Sequence, residues 1–174
     1  STVASGGEAV AVGVATKATG LGSTALGARS TATGVGSIGI GTNGQATGAG
    51  AVALGGATVA SQNGSVALGQ GSIANTAAGI TGYAPSGATG AQIAAINATK
   101  ATLAAVSVGS VGNTRQITNV AAGTANTDAV NVAQLKAAQV RYYSVNSAGG
   151  GNLLNDGATG TDSIAIGRNT RAFG

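Results

Sequence analysis

The chain has no histidine, cysteine, methionine or tryptophan, and only one proline, one phenylalanine and three tyrosines in 174 residues. Without cysteine there is no disulfide framework and no thiolate metal site. Without histidine the ordinary general base is missing. The only carboxylates are Glu8, Asp128, Asp156 and Asp162, of which Asp156 and Asp162 are nearest in sequence, and they form no pair suited to acid–base work. A calcium-binding roll repeats aspartate in every turn, and the N-terminal part of this chain has none. The reading is therefore non-enzymatic, with no cofactor and no metal. Charged residues are 7% of the chain, and the net charge of +4 comes from Lys17, Arg29, Lys100, Arg115, Lys136, Arg141, Arg168 and Arg171 scattered along it. Scattered cations argue against a nucleic-acid partner, which needs them clustered on one face. No run approaches the roughly eighteen apolar residues of a spanning helix, so no membrane insertion is expected of this segment. No basic-plus-apolar signal peptide opens it.

What is abundant is glycine, 32 residues, beside a hydrophobic fraction of 43% made largely of alanine and valine. Disorder requires low hydrophobicity and high charge, and a collagen-like chain requires glycine at every third position with many prolines. Neither fits, since Pro85 stands alone and mean hydropathy is +0.29. Order must come from periodicity.

The period is fourteen. Gly13, Gly27, Gly41, Gly55 and Gly69 follow AVAV, STAL, SIGI, AVAL and SVAL, and Gly167 follows SIAI. Five residues after each glycine stands an alanine: Ala18, Ala32, Ala46, Ala60, Ala74 and Ala172. Gly20, Gly34, Gly48 and Gly174 come two later, while Gln62 and Thr76 break that column. Such self-similarity is the signature of a stacked repeat, here two short strands and two glycine turns per coil, each strand pairing in parallel with its equivalents above and below. Val12, Leu26, Ile40, Leu54, Leu68 and Ile166 are expected to stack as the repeat core, beside Val10, Thr24, Ile38, Val52, Val66 and Ile164. The alternating residues form a second face of alanine, serine and Gly39. Neither face is charged, so one is expected inside the coil and the other against a partner. Alternation does not say which, and so thin a coil points to a homo-oligomer.

The register lapses from Gly79 to Gly112. Ala91 to Ala105 reads as a helix with Ile93, Ile96 and Leu103 on one face, and VSVG at 106–109 as a strand ending in the usual glycine turn. A clearer helix is expected from Asp128 to Gln139, capped by Asn126 or Thr127 with Asp128 at its positive end. Val132, Leu135, Gln139 and Tyr142 fall at 3-4-3 spacing, a short coiled-coil seam.

The [S/A]-[V/I]-A-[V/I/L]-G unit, followed by RQITNVAAGTANTDAVNVAQLK at Arg115 to Lys136 and YYSVNS at Tyr142 to Ser147, resembles the trimeric autotransporter adhesins, with a YadA-like head followed by a neck. The resemblance implies a mainly β fold: a left-handed parallel β-roll of 14-residue repeats forming a homotrimer, with a short neck leading to a three-stranded coiled-coil helix. It divides the chain into a head β-roll at 1–82, a head insert and last head strand at 83–114, a neck and short coiled coil at 115–140, a connector at 141–161 and the start of a second head at 162–174. It adds Val120 and Val130 to Val132, Leu135, Gln139 and Tyr142 as the trimer and neck core. It implies a bacterial cell-surface adhesin, outer-membrane anchored through a C-terminal region not present here, displaying a surface for host cells or extracellular matrix proteins. A spacer between other adhesive heads is the alternative. An ice-binding solenoid is the third reading, suggested by Thr19, Thr33 and Thr47 in one column but weakened by Ser61 and Asn75 after them.

Overall fold

Two tight turns in fourteen residues leave room for one three-residue and one two-residue strand, and that is the coil observed. The computed structural model describes residues 1–138, 158–160, 164–167 and 169–173. The expected seam residues Gln139 and Tyr142, and the YYSVNS connector, lie outside them. The chain forms two compact units, Ser1–Val120 with Ala125–Thr127, and Ala121–Thr124 with Asp128–Gly174.

In the first unit the strands are β1 (Val3–Ala4), β2 (Val10–Val12), β3 (Lys17–Ala18), β4 (Thr24–Leu26), β5 (Thr31–Ala32), β6 (Ile38–Ile40), β7 (Gln45–Ala46), β8 (Val52–Leu54), β9 (Val59–Ala60), β10 (Val66–Leu68), β11 (Ile73–Ala74) and β12 (Val106–Ser107). The odd strands through β11 form one six-stranded parallel sheet in sequence order. The even strands form the other, so each coil contributes one strand to each sheet. Pairing is in register at a fourteen-residue step: Val12 opposes Leu26, Leu26 opposes Ile40, Ile40 opposes Leu54 and Leu54 opposes Leu68.

Two glycine columns have separate causes. Gly13, Gly27, Gly41, Gly55 and Gly69 adopt φ of +134°, +120°, +121°, +131° and +92°, backbone that side chains resist. At Gly20 and Gly34 the constraint is proximity, because a Cβ there would overlap the carbonyl oxygen of the equivalent residue one coil on. Gln62 takes this place in the last regular coil, where the chain is about to leave the register and the constraint lapses.

The space between the sheets is filled by small side chains. Ala18, Ala25, Ala32, Ala46, Ala53, Ala60 and Ala67 are fully buried, together with Ser23, Ser30, Ser37, Ser65 and Ser72. This decides what alternation left open: the small-residue face lines the coil, and the large aliphatic ladder named as the repeat core lies outside it. Val12, Leu26 and Leu68 are 53%, 43% and 48% exposed on the outside of the long-strand sheet, and Ile40 and Leu54 are half-buried there. So narrow a gap between sheets admits a methyl or hydroxymethyl group and excludes an isobutyl group, so the alternation sends leucine and isoleucine outward.

The interruption is an enlarged coil. After Thr76 the chain makes helix α1 (Gly90–Ala98), with Thr89 and Gln92 forming a reciprocal capping box. The helix is shorter than expected, so Lys100 and Leu103 lie beyond it. The chain then returns to pair β12 with β10, Val106 opposite Val66. Ile73 N–H donates to the Gly109 carbonyl at 2.8 Å, which joins the returning segment to the last coil.

In the second unit helix α2 (Val132–Ala137) begins later than expected, capped by Asn131 and not by Asn126 or Thr127. The Asp128 carboxylate instead accepts from Thr124 N at 2.9 Å and from its hydroxyl at 3.2 Å, closing a turn before the helix. The fourteen-residue register reappears in this unit: Ala158 bridges Ala172 in parallel, and Gly167 has φ of +122°. Thr170 Oγ1 donates to the Gly167 carbonyl at 3.0 Å, as Thr58 does to Gly55 at 2.8 Å in the first unit.

Candidate interaction surface

Each sheet shows one face to the coil interior and one outward, and the two outward faces differ in chemistry. On the long-strand sheet the central residue of each strand is inward or shielded, and its neighbours point out. The outward pairs are Val10 and Val12, Thr24 and Leu26, Ile38 and Ile40, Val52 and Leu54, and Val66 and Leu68, with Val106 continuing the first column. This is a continuous stripe without one charged residue. On the short-strand sheet the equivalent column runs Val3, Lys17, Thr31, Gln45, Val59 and Ile73, flanked by Thr19, Thr33, Thr47 and Ser61. That face is mixed and largely polar. A contiguous exposed apolar stripe marks a surface that is covered in use.

Five of the six expected repeat-core residues, Val12, Leu26, Ile40, Leu54 and Leu68, are therefore brought into one column, outside the coil. Ile166 belongs to the second unit and is 55% exposed. Of the expected neck core, Val120 is half-buried, whereas Val130, Val132 and Leu135 are exposed. Leu135 and Val132 lie on α2, which has no buried residue in the single chain. Coil-to-coil side-chain links run along the turns: Arg29 Nε donates to Asn43 Oδ1 at 2.9 Å, and Ala49 N to Asn63 Oδ1 at 2.9 Å.

Among the described residues no group of three or more His, Cys, Asp or Glu is placed to hold a metal ion, and no helix is long and apolar enough to cross a membrane.

Residues 4–30, 18–43, 32–56, 46–72 and 158–174 match the YadA head domain repeat, and residues 116–163 match the coiled stalk of trimeric autotransporter adhesin. The chain belongs to the trimeric autotransporter adhesins. Its YadA-like head repeats coincide with β1 to β10 and with the renewed register around Gly167. The stalk match contains α2 and its cap. Similar solved structures include the C-terminal YadA-like domain of a Burkholderia pseudomallei protein, 37% identical over 52% of this chain with a TM-score of 0.42. The chain spans 42% of that structure's length. Another is the collagen-binding domain of the Yersinia adhesin YadA, 29% identical, covering 78% of this chain and 85% of that one with a TM-score of 0.42. The segment is a parallel β-solenoid of adhesin-type head repeats followed by a short helical segment inside the stalk match.

Proposed function

We propose that this segment is one head-and-neck joint of a trimeric surface fibre, in which the apolar stripe of the long-strand sheet meets the equivalent stripes of two further copies. The supporting observation is the chemical asymmetry of the two outward faces: Leu26, Ile40, Leu54 and Leu68 line one, while Thr31, Gln45 and the flanking hydroxyls line the other. Burying the stripe contributes about 25 cal/mol for each Å² of apolar surface, which supplies what an Ala/Ser interior cannot. Val120, Val130, Val132, Leu135, Gln139 and Tyr142 would form the neck core of the trimer. Family membership implies display on the bacterial outer surface.

In this arrangement the polar face of the short-strand sheet is the one left for host matrix proteins or host cells. Binding would use positions repeated over several coils, not one pocket. The renewed register at Ala158 and Ala172 favours a second role, spacing successive heads along the fibre. Sedimentation equilibrium over a concentration series is expected to show a trimer, and a monomer as the sole species would overturn the assembly. Binding of the purified trimer to a panel including collagen and fibronectin separates the two roles: saturable binding supports adhesion by this segment, and its absence across the panel supports spacing.

A further inference from the structure

In the regular coils, the turn carbonyls of Val14, Ala28, Thr42 and Gly56 each accept a backbone N–H from the next coil, at 2.8, 2.9, 2.8 and 2.9 Å. Each donor lies fifteen residues ahead, at Arg29, Asn43, Ala57 and Gly71. Gln70 is next in this column, and the residue fifteen ahead of it is Pro85, which has no N–H. A carbonyl left without its donor at the end of a stack weakens the last coil, and the ends of repeat stacks carry atypical capping elements.

We infer that Arg115 is a side-chain substitute for the missing turn of the next coil, and that it latches the returning chain onto the end of the roll. Its Nη2 donates to the Gln70 carbonyl at 2.6 Å, the place filled by a backbone amide in every coil below. Its Nη1 donates to the Val108 carbonyl at 2.5 Å and to Ser72 Oγ at 3.1 Å. The guanidinium also occupies the position of the absent backbone. A Cβ on Gly13 would meet the backbone carbonyl oxygen of Gly27 at 2.7 Å, whereas one on Gly69 would meet Arg115 Cζ at 3.2 Å. A planar fork with five donors can serve three acceptors on two chain segments at once, which a single ammonium does not do with the same geometry. Gln70 and Ser72 belong to the last regular coil and Val108 follows β12, so one side chain ties the coil to the strand that returns after the insert.

The test is amide hydrogen exchange on the full chain with Arg115→Ala, Arg115→Lys and wild type. In Arg115→Ala the Ile73 amide is expected to exchange at least tenfold faster, while the Gly41 amide in the middle of the roll is unchanged. Low-millimolar ethylguanidinium is expected to restore Ile73 protection and ethylammonium is not, with Arg115→Lys falling between wild type and Arg115→Ala. Unchanged exchange at Ile73, equal acceleration at Gly41, or failure of ethylguanidinium to restore protection selectively would each overturn the assignment.

Discussion

Gln134 holds Gly123 by both groups of its backbone. The side-chain Oε1 accepts from Gly123 N at 3.0 Å and Nε2 donates to the Gly123 carbonyl at 2.8 Å. The same Oε1 accepts from Asn131 N at 3.2 Å, so the residue that completes the helix cap also fastens the preceding segment. Gly123 must be glycine for this approach, since a Cβ would come within 2.9 Å of Asp128 Cβ.

Gln134→Leu therefore removes three partly buried hydrogen bonds while keeping side-chain volume. The expected loss is about 2 kcal/mol, counting lost bonds and the groups left unpaired. Thermal unfolding of the segment measures it, and an unchanged midpoint would show that the clasp adds nothing. Gln134→Glu should retain the acceptor contacts but lose the donor to Gly123, and so fall between.

The buried hydroxyls of the roll are not equivalent. Ser30 Oγ donates to the Gly39 carbonyl at 2.6 Å, whereas the Ser23 and Ser37 hydroxyls are buried without a hydrogen-bond partner. Ala9 and Ala51 occupy the same column as Ser23 and Ser37. Ser37→Ala should accordingly be neutral or stabilising by up to about 1 kcal/mol, and Ser30→Ala destabilising by about 1 kcal/mol. Denaturant titration of the two variants side by side reads the difference, and equal effects would contradict it.

Two neighbouring glycines should respond oppositely to a side chain. Gly34→Ala drives a Cβ into the Gly48 carbonyl oxygen and is expected to lose more than about 3 kcal/mol. Gly36 has φ of +63° and open space around it, and Glu8 takes the same conformation at the same place in an earlier coil. Gly36→Asn should therefore lose less than about 1 kcal/mol, because asparagine tolerates that backbone. Thermal melts of both variants decide it.

A charge separates the two outward faces. Leu54→Asp would bury an unpaired carboxylate in each copy of the proposed trimer, a penalty on the order of several kcal/mol, and should shift sedimentation toward monomer. Thr33→Asp, on the polar face, should leave the trimer intact. If both variants sediment alike, the apolar stripe is not the assembly surface.

The stacked coil was legible in the sequence because a fourteen-residue period forces equivalent residues into register whatever the surroundings. Gly13 and its successors announced the turns, since only glycine suits φ near +120°. The renewed register at Gly167 was legible for the same reason. Local cues were less decisive where several residues could do one job. Asn126, Thr127 and Asn131 are all good caps, and Asn131 prevails because Gln134 stands three residues after it, while Asp128 is engaged by Thr124.

Alternation along AVAL and STAL established that a strand has a large-residue face and a small-residue face, but a single strand carries no information about the side to which its coil closes. That was decided by the separation of the two sheets, which admits Ala25 and Ala32 and turns Leu26 outward. The partnership of Arg115 with Gln70, 45 residues apart, is of the same kind. No periodicity links them, and the contact exists only because the insert returns its chain to the roll's open end. Periodic backbone geometry is written locally in the residues, whereas the inside of the coil and the closure of its end depend on distances between segments that exist only once the stack has formed.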